Sequence, residues 1–331
     1  MRHPLRMGVI GLNNQGKDHI EAIRSSECAV LAAVCDSQEK FRGEYEVPFF
    51  ESMEELFSSG LIDGAVVALP HNLHEDALTL AARYGVHVLK EKPIARTLEE
   101  AHRCLERVDQ RIVLHTGVQR RHHGTYGALK EHLKGKSVRS VSLEMMVVSK
   151  AKPQRADQSS PVNEPWRAKR AVAGGGVLID LGYHAVDLMH YLFGPMELIS
   201  CTTFLDDVPC PGELTENEAR VWAQAQGAWI RMHVGRGHEK REKLRIQTHC
   251  GGSYEVDRSS AVWRSSAGEE ILHASSADWT KTLQAQLKSF VSSVRENRVS
   301  ANESPEQLPT IRFIDACYAQ LAVDGVYQRN S

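Results

Sequence analysis

The chain lacks the features that would place it in a membrane, on a nucleic acid or in a disulfide frame. No apolar run approaches the roughly 18–20 residues that a membrane span needs. The 40 basic and 42 acidic residues leave a formal net charge of −2, so no excess of either sign is available to hold a polyanion or an anionic bilayer. Cysteines are few, scattered and odd in number, seven at positions 28, 35, 104, 201, 210, 250 and 317, and no Cys-x-x-Cys occurs. That pattern argues for reduced thiols rather than a disulfide frame or a zinc site. The opening Met1-Arg2-His3-Pro4-Leu5-Arg6 lacks the apolar core of a signal peptide, so a cytoplasmic protein is expected. There is no internal repeat and no low-complexity tract.

What is present is enough for real cores. Hydrophobic residues make up 42% of 331, a length that suits two domains. Arg6-Met7-Gly8-Val9-Ile10-Gly11 reads as a buried strand, followed by the turn Leu12-Asn13-Asn14-Gln15-Gly16 and a helical run from Lys17 to Arg24. Glycine stands at the first and third positions of G-x-G-x-x-G, with Asn13 at the second. Gly11 allows the tight turn, Gly16 allows close helix–strand packing, and the helix N-terminus favours a pyrophosphate. Asn tolerates φ > 0 better than most residues, which accounts for Asn13.

A second apolar strand, Ala29–Cys35, ends in Asp36. An acid there accepts both ribose hydroxyls of NAD and repels the 2′-phosphate of NADP. It also suits a helix N-cap or a turn, and Ser37 beside it leaves NADP open. Strands and helices then alternate. Apolar strands are expected at 48–50, 64–69, 87–90 and 111–116, and helices at 53–57, 73–84 and 97–108, the last opened by a Thr97/Glu100 capping box. Continuous apolar strands alternating with helices indicate a doubly wound parallel sheet. Ligands of such sheets bind beyond the carboxyl ends of the strands, where Gly11, Asp36, Pro70 and Lys92 all fall.

After Val118 the alternation stops, and the expected domains are 1–120 and 121–331. The second is read as α+β with an open, mostly antiparallel sheet. Its strands are expected at 138–148, 198–204, 219–225, 228–234, 244–249 and 253–256, with late helices at 281–295 and 308–321 that cover the sheet or return to the first domain. Gly174-Gly175-Gly176 lets backbone come close to a neighbour, which leaves room for a ligand. A helix-like run follows, with Leu178, Leu181, Ala185, Leu188 and Leu192 on its buried face and Asp180, His184 and Asp187 on another. That polar stripe is either a solvated or satisfied face, or an acid/base pair in which the carboxylate orients the imidazole. His115, His122 and His123 have no acidic or cysteine partner at ligand spacing, so no metal is expected.

Taken together, Gly11-x-Asn13-x-x-Gly16, Asp36, Pro70-His71-x-x-His74, Glu91-Lys92-Pro93 and Gly174-Gly175-Gly176-x-x-x-Asp180-x-x-x-His184 resemble the glucose–fructose oxidoreductase, inositol dehydrogenase and rhizopine-catabolism (Gfo/Idh/MocA) family over nearly the whole chain. The resemblance implies a nicotinamide-dependent oxidoreductase of a sugar, cyclitol or related polyol. The cofactor, NAD with NADP left open, would be held by Gly11, Leu12, Asn13, Asn14, Gln15, Gly16, Asp36, Ser37, Leu69, Pro70, His71, His74, Glu91 and Lys92. It implies a cis peptide between Lys92 and Pro93. Lys92, Asp180 and His184 become the catalytic set, with His184 as base, Lys92 on the same oxygen and Asp180 on a neighbouring hydroxyl; whether Lys92 rather than His184 takes the proton stays open. Gln119, Arg120, Arg121, Trp166, Asp180 and His184 are the candidate substrate contacts, together with the loop 154–163. The resemblance also implies a homodimer or homotetramer through the second sheet. Other activities stay open: an NADPH-dependent reductase of a ketosugar or imine, and a dinucleotide-binding sensor without turnover.

Overall fold

A computed structural model describes residues 3–108, 112–148, 165–210, 215–237, 239–275, 279–296 and 305–323. In chain order the first elements are β1 (Leu5–Ile10), α1 (Asn14–Arg24), β2 (Ala29–Cys35), β3 (Phe49–Phe50), α2 (Met53–Ser58), β4 (Gly64–Val67), α3 (His74–Tyr84), β5 (His87–Glu91), α4 (Leu98–Val108) and β6 (Leu114–Gly117). Next come α5 (Gly124–Leu133), β7 (Val138–Val148), α6 (Arg170–Ala173), α7 (Val177–Asp180) and α8 (Gly182–Phe193). The rest are β8 (Glu197–Leu205), β9 (Val208–Pro209), β10 (Glu218–Ala225), β11 (Ala228–Gly237), β12 (Arg241–Thr248), β13 (Ser253–Val256), β14 (Ser260–Ser265), β15 (Gly268–Ala274), α9 (Trp279–Arg295) and α10 (Leu308–Val323).

Two compact units result. The first joins residues 1–122 to 278–308. Its six strands are all parallel in the order β3-β2-β1-β4-β5-β6, the doubly wound sheet expected from the continuous apolar runs. The order reverses between β1 and β4, the switch point beyond whose carboxyl edge open sheets of this kind bind ligands. Phe290, Leu287 and Val291 of α9 join Met7, Val9, Val66 and Leu89 in one buried cluster, so α9 completes this unit. This is the return that the sequence left open for the late helices.

The second unit joins residues 123–277 to 309–331. Its nine strands run β15-β14-β13-β12-β7-β11-β10-β8-β9, antiparallel throughout except for the parallel pair β7/β11. Strict alternation sets its two faces: Val141, Leu143 and Met145 of β7 are buried, as are Ala219, Val221 and Ala223 of β10.

Three local expectations changed. The helix expected after the glycine triplet is divided into α7 and α8 at Leu181, whose φ −83° and ψ −40° stay in the helical region: Asp180 closes α7 and His184 lies in the first turn of α8. Asn13 occupies the N-cap position of α1 with φ −75° and no side-chain capping bond, so it does not need the left-handed region. Glu100 completes only half of its capping box. Its N–H donates to Thr97 Oγ1, but its carboxylate accepts from Arg96 N instead.

Candidate active site

In the first unit, the residues expected to hold a dinucleotide gather at the carboxyl edge of the parallel sheet. Gly11 follows β1 with φ +87°, and a Cβ there would lie 2.3 Å from Ala68 O, across the switch point. A Cβ on Gly16 would lie 1.9 Å from Gly11 O. Only glycine fits either place, so the loop packs closely on itself and on the chain just past β4. Asn13 and Asn14 are exposed, Gln15 is half-buried and Leu12 is fully buried. The first turn of α1 carries no acid, so its free N–H groups face the loop unopposed.

Asp36 stands just beyond β2 and is 7% exposed. Its Oδ2 accepts from Leu12 N at 2.8 Å and its Oδ1 from Gln38 N at 2.9 Å. These bonds aim the carboxylate at the loop, and an ionised carboxylate has further lone pairs to offer two hydroxyls. Ser37 is exposed beside it. Leu69 and Pro70 are half-buried past β4. His71 is buried, with its ring 5.7 Å from that of His74. His74 is fully buried and its Nε2 meets Leu69 O at 3.0 Å, so it braces the Leu69 backbone from beneath. Burial, then the neighbouring Lys90 and His71, pushes its imidazole well below the usual value, which keeps it neutral.

The Lys92–Pro93 peptide is cis, as the resemblance implied, and Lys92 is half-buried. Before it, Glu91 is buried against His19 of α1, Oε1 to Nε2 at 2.8 Å. This contact ties the middle of α1 to the last residue of β5, next to Lys92. Burial raises the Glu91 carboxyl, but the hydrogen bond and charge of His19, with Lys92, outweigh it and hold the group below its ordinary value. The sign follows: Glu91 contributes stability above an ordinary carboxylate value of 4.5, and that stability is lost as pH falls through its folded value. Glu91→Gln is expected to flatten the acid limb of melting temperature against pH; an unchanged limb would refute this. Past β6, Gln119 and Arg120 are buried, and Arg121 pairs with Glu306 at 2.8 Å.

In the second unit, the glycine triplet closes against the chain itself. A Cβ on Gly175 would lie 2.1 Å from the Tyr318 hydroxyl, and one on Gly176 would lie 2.2 Å from Glu216 O. The room expected for a ligand is filled by these two residues. Asp180, at the end of α7, accepts from Arg236 at 2.6 Å and lies 3.7 Å from Arg167 Nε. The Arg167 guanidinium stacks 4.4 Å over the half-buried Trp166 ring. His184 is 6% exposed. The loop 154–163 lies outside the described residues. Among the described residues, no cluster of His, Cys, Asp or Glu suits a metal, and no helix is long and apolar enough to cross a membrane.

His19, Lys90, Arg236, Glu216 and Tyr318 were not singled out from sequence. Lys90 had a visible signal, a lysine inside an apolar strand. The others are joined only by long-range contacts.

Comparison with known proteins points one way. A model described as oxidoreductase family, NAD-binding Rossmann fold, matches residues 5–117, and one described as GFO/IDH/MocA C-terminal domain matches residues 146–252. The rhizopine catabolism protein MocA of Rhizobium meliloti is 28% identical over 194 residues, 57% of each chain. A myo-inositol 2-dehydrogenase of Thermotoga maritima is 26% identical over 196 residues, 57% of this chain and 55% of the relative. These matches therefore span just over half the length of either relative. Among solved structures, a levoglucosan dehydrogenase in complex with NADH and levoglucosan superposes with TM-score 0.82 over 97% of this chain and 98% of the other, at 20% identity, which shows the shared fold.

Proposed function

The chain belongs to the Gfo/Idh/MocA oxidoreductase family, and from that premise we propose that it moves a hydride between a nicotinamide and a hydroxyl or keto carbon of a sugar, cyclitol or related polyol. The observation that carries this reading is the convergence of Gly11, Asp36 and Lys92 on one edge of the parallel sheet. The glycine cradle and the Asp36 carboxylate fit a dinucleotide by shape and hydrogen bonding. The nicotinamide, when bound, supplies the hydride acceptor.

The remaining work falls to the chain. As the carbinol carbon loses its hydride, His184 takes the hydroxyl proton as general base. Lys92 donates a hydrogen bond to the same oxygen and stabilises the developing alkoxide. Asp180, steadied by Arg236, receives a neighbouring hydroxyl of the substrate. Gln119, Arg120, Arg121 and Trp166 are proposed to select the substrate. The test is absorbance at the reduced-nicotinamide band across myo-inositol, levoglucosan, D-glucose and D-xylose with NAD⁺ and NADP⁺. Reduction by one of them supports the reading. Dinucleotide binding with no turnover on any sugar or polyol, in either direction, would overturn it.

NAD is the proposed cofactor because the Asp36 carboxylate repels a 2′-phosphate. Asp36→Ser is expected to raise the NADP⁺ over NAD⁺ ratio of kcat/KM by at least about tenfold, the worth of about 1.4 kcal/mol. An unchanged ratio would move the discrimination elsewhere. Further, the open face of the second sheet exposes Trp222 (43%) and Trp229 (49%), with Arg231 over Trp222. Two exposed indoles on one sheet face suit a homodimer or homotetramer built through it. Light scattering that returned a monomer mass would refute that.

A further inference from the structure

Lys90 is the outlier of the first unit. Central strand β5 runs between β4 and β6, and Val88, Leu89 and Lys90 are 0%, 1% and 0% exposed. A lysine so enclosed loses the water around its amine, and a methionine would fill the place at less cost. What the amine has in return is backbone. Its Nζ donates to Glu91 O at 3.0 Å and to Pro93 O. Those carbonyls stand one residue before and one residue after Lys92. The amine thus ties together the two ends of the bend that carries Lys92.

The titratable neighbours of Lys90 do not supply an ion pair in its place. Glu91 is committed to His19, the Cys104 thiol is held protonated with burial pushing it up to about 11, and His74 is kept neutral by burial. Burial pushes the Lys90 amine itself down to about 7, against the smaller pull of Cys104 and Glu91. A neutral amine still has two N–H donors, enough for two carbonyls, so the tie does not depend on charge. Nor is this nitrogen placed to take a proton from substrate, since it has no exposed surface.

We propose that Lys90 is a positioning residue for Lys92: it bridges the carbonyls of Glu91 and Pro93 and so fixes the bend from which Lys92 reaches the reacting oxygen. This rests on the role given to Lys92 above. A misplacement of about 1 Å in a reacting group costs on the order of 10²-fold in rate, so a slack bend is costly even with every catalytic group present.

The test uses the full chain and Lys90→Met, which keeps the length, removes both donors and relieves a buried amine. Hydrogen exchange by mass spectrometry, with NADH bound, is expected to quicken about tenfold in the peptide spanning 88–98 and stay unchanged in β1 and α1. On the sugar turned over best in the panel, kcat is expected to fall about 10–100-fold, with NADH affinity within twofold and melting temperature undiminished. Lys90→Gln, which keeps a shorter amide donor, should recover part of the loss. Unchanged exchange in the bend, or kcat within twofold of the parent, would overturn the proposal. So would a rate loss accompanied by lost NADH binding and a lower melting temperature, which is the mark of a merely structural residue. A control separates the two readings. A crippled Lys92→Ala beside a near-native Lys90→Met sinks the positioning role alone, whereas a near-native Lys92→Ala sinks the role of Lys92 itself.

Discussion

Lys92→Ala and His184→Ala are each expected to lower turnover by about 10²- to 10⁴-fold while NADH still binds with near-parental affinity. The separation of the two effects follows from where the residues lie. Binding of the dinucleotide is assigned to the Gly11–Gly16 loop and to Asp36, which is held by Leu12 N and Gln38 N independently of the Lys92 side chain. His184 belongs to α8, outside the segments assigned to the dinucleotide. In the proposed reaction both groups serve one oxygen, so the double variant should lose little more than the worse single variant, as residues that act as a unit do. Losses that simply multiply would assign Lys92 and His184 to separate steps. Near-parental turnover in both single variants would end the acid/base assignment altogether.

The placement of Lys92 at the carboxyl edge was legible in the sequence because its signal is local: an ionisable residue, then proline, at the end of an apolar strand. The strands 29–35, 138–148 and 253–256 were legible to the residue, since buried segments announce themselves by apolar runs or alternation bounded by turns. β14 and β15 were not, because they form the margin of the second sheet. β15 has no buried residue and β14 only Ala261, so no apolar pattern marks them. The partners of the site residues were hidden for a different reason. Helical spacing places Asp180 beside His184, but no local pattern announces that Asp180 also accepts from Arg236, 56 residues on. Glu91 looked like a cofactor contact, and its hydrogen-bond partner is His19, 72 residues back. The glycine triplet was read correctly as a place of close approach. What approaches is the chain's own Glu216 and Tyr318, and no local pattern reports which distant segment comes home.

Glu216→Leu is expected to lower the melting temperature of the second unit by on the order of 10 °C and to remove turnover with it. The carboxylate is 1% exposed and accepts from Gly176 N at 3.0 Å, Leu178 N at 2.9 Å and the Tyr318 hydroxyl at 2.7 Å, while its own backbone oxygen accepts from Val177 N at 2.8 Å. Three of the N–H groups that open α7 are thus satisfied by one residue from a distant loop, a cap supplied from outside the helix. Arg170 stacks 4.6 Å over the Tyr318 ring and completes the enclosure. Burial pushes the Glu216 carboxyl up, against the pull of the Tyr318 hydroxyl and Leu178 N–H, so those donors are what make a buried acid tolerable. Leucine leaves three donors without an acceptor in a dry place, a cost of about 3–5 kcal/mol. At roughly 2–4 °C per kcal/mol for a unit of this size, the shift follows. The functional loss follows from geometry: α7 is one turn long, Asp180 is its last residue and α8 with His184 begins two residues later. A cap that fails at Gly176 frees both side chains at once. Glu216→Gln separates the terms, because its amide keeps one acceptor oxygen but turns an NH₂ toward donors; it should fall between the parent and Glu216→Leu in melting temperature. A Glu216→Leu protein that melts like the parent would show that α7 is held by its packing and not by its cap.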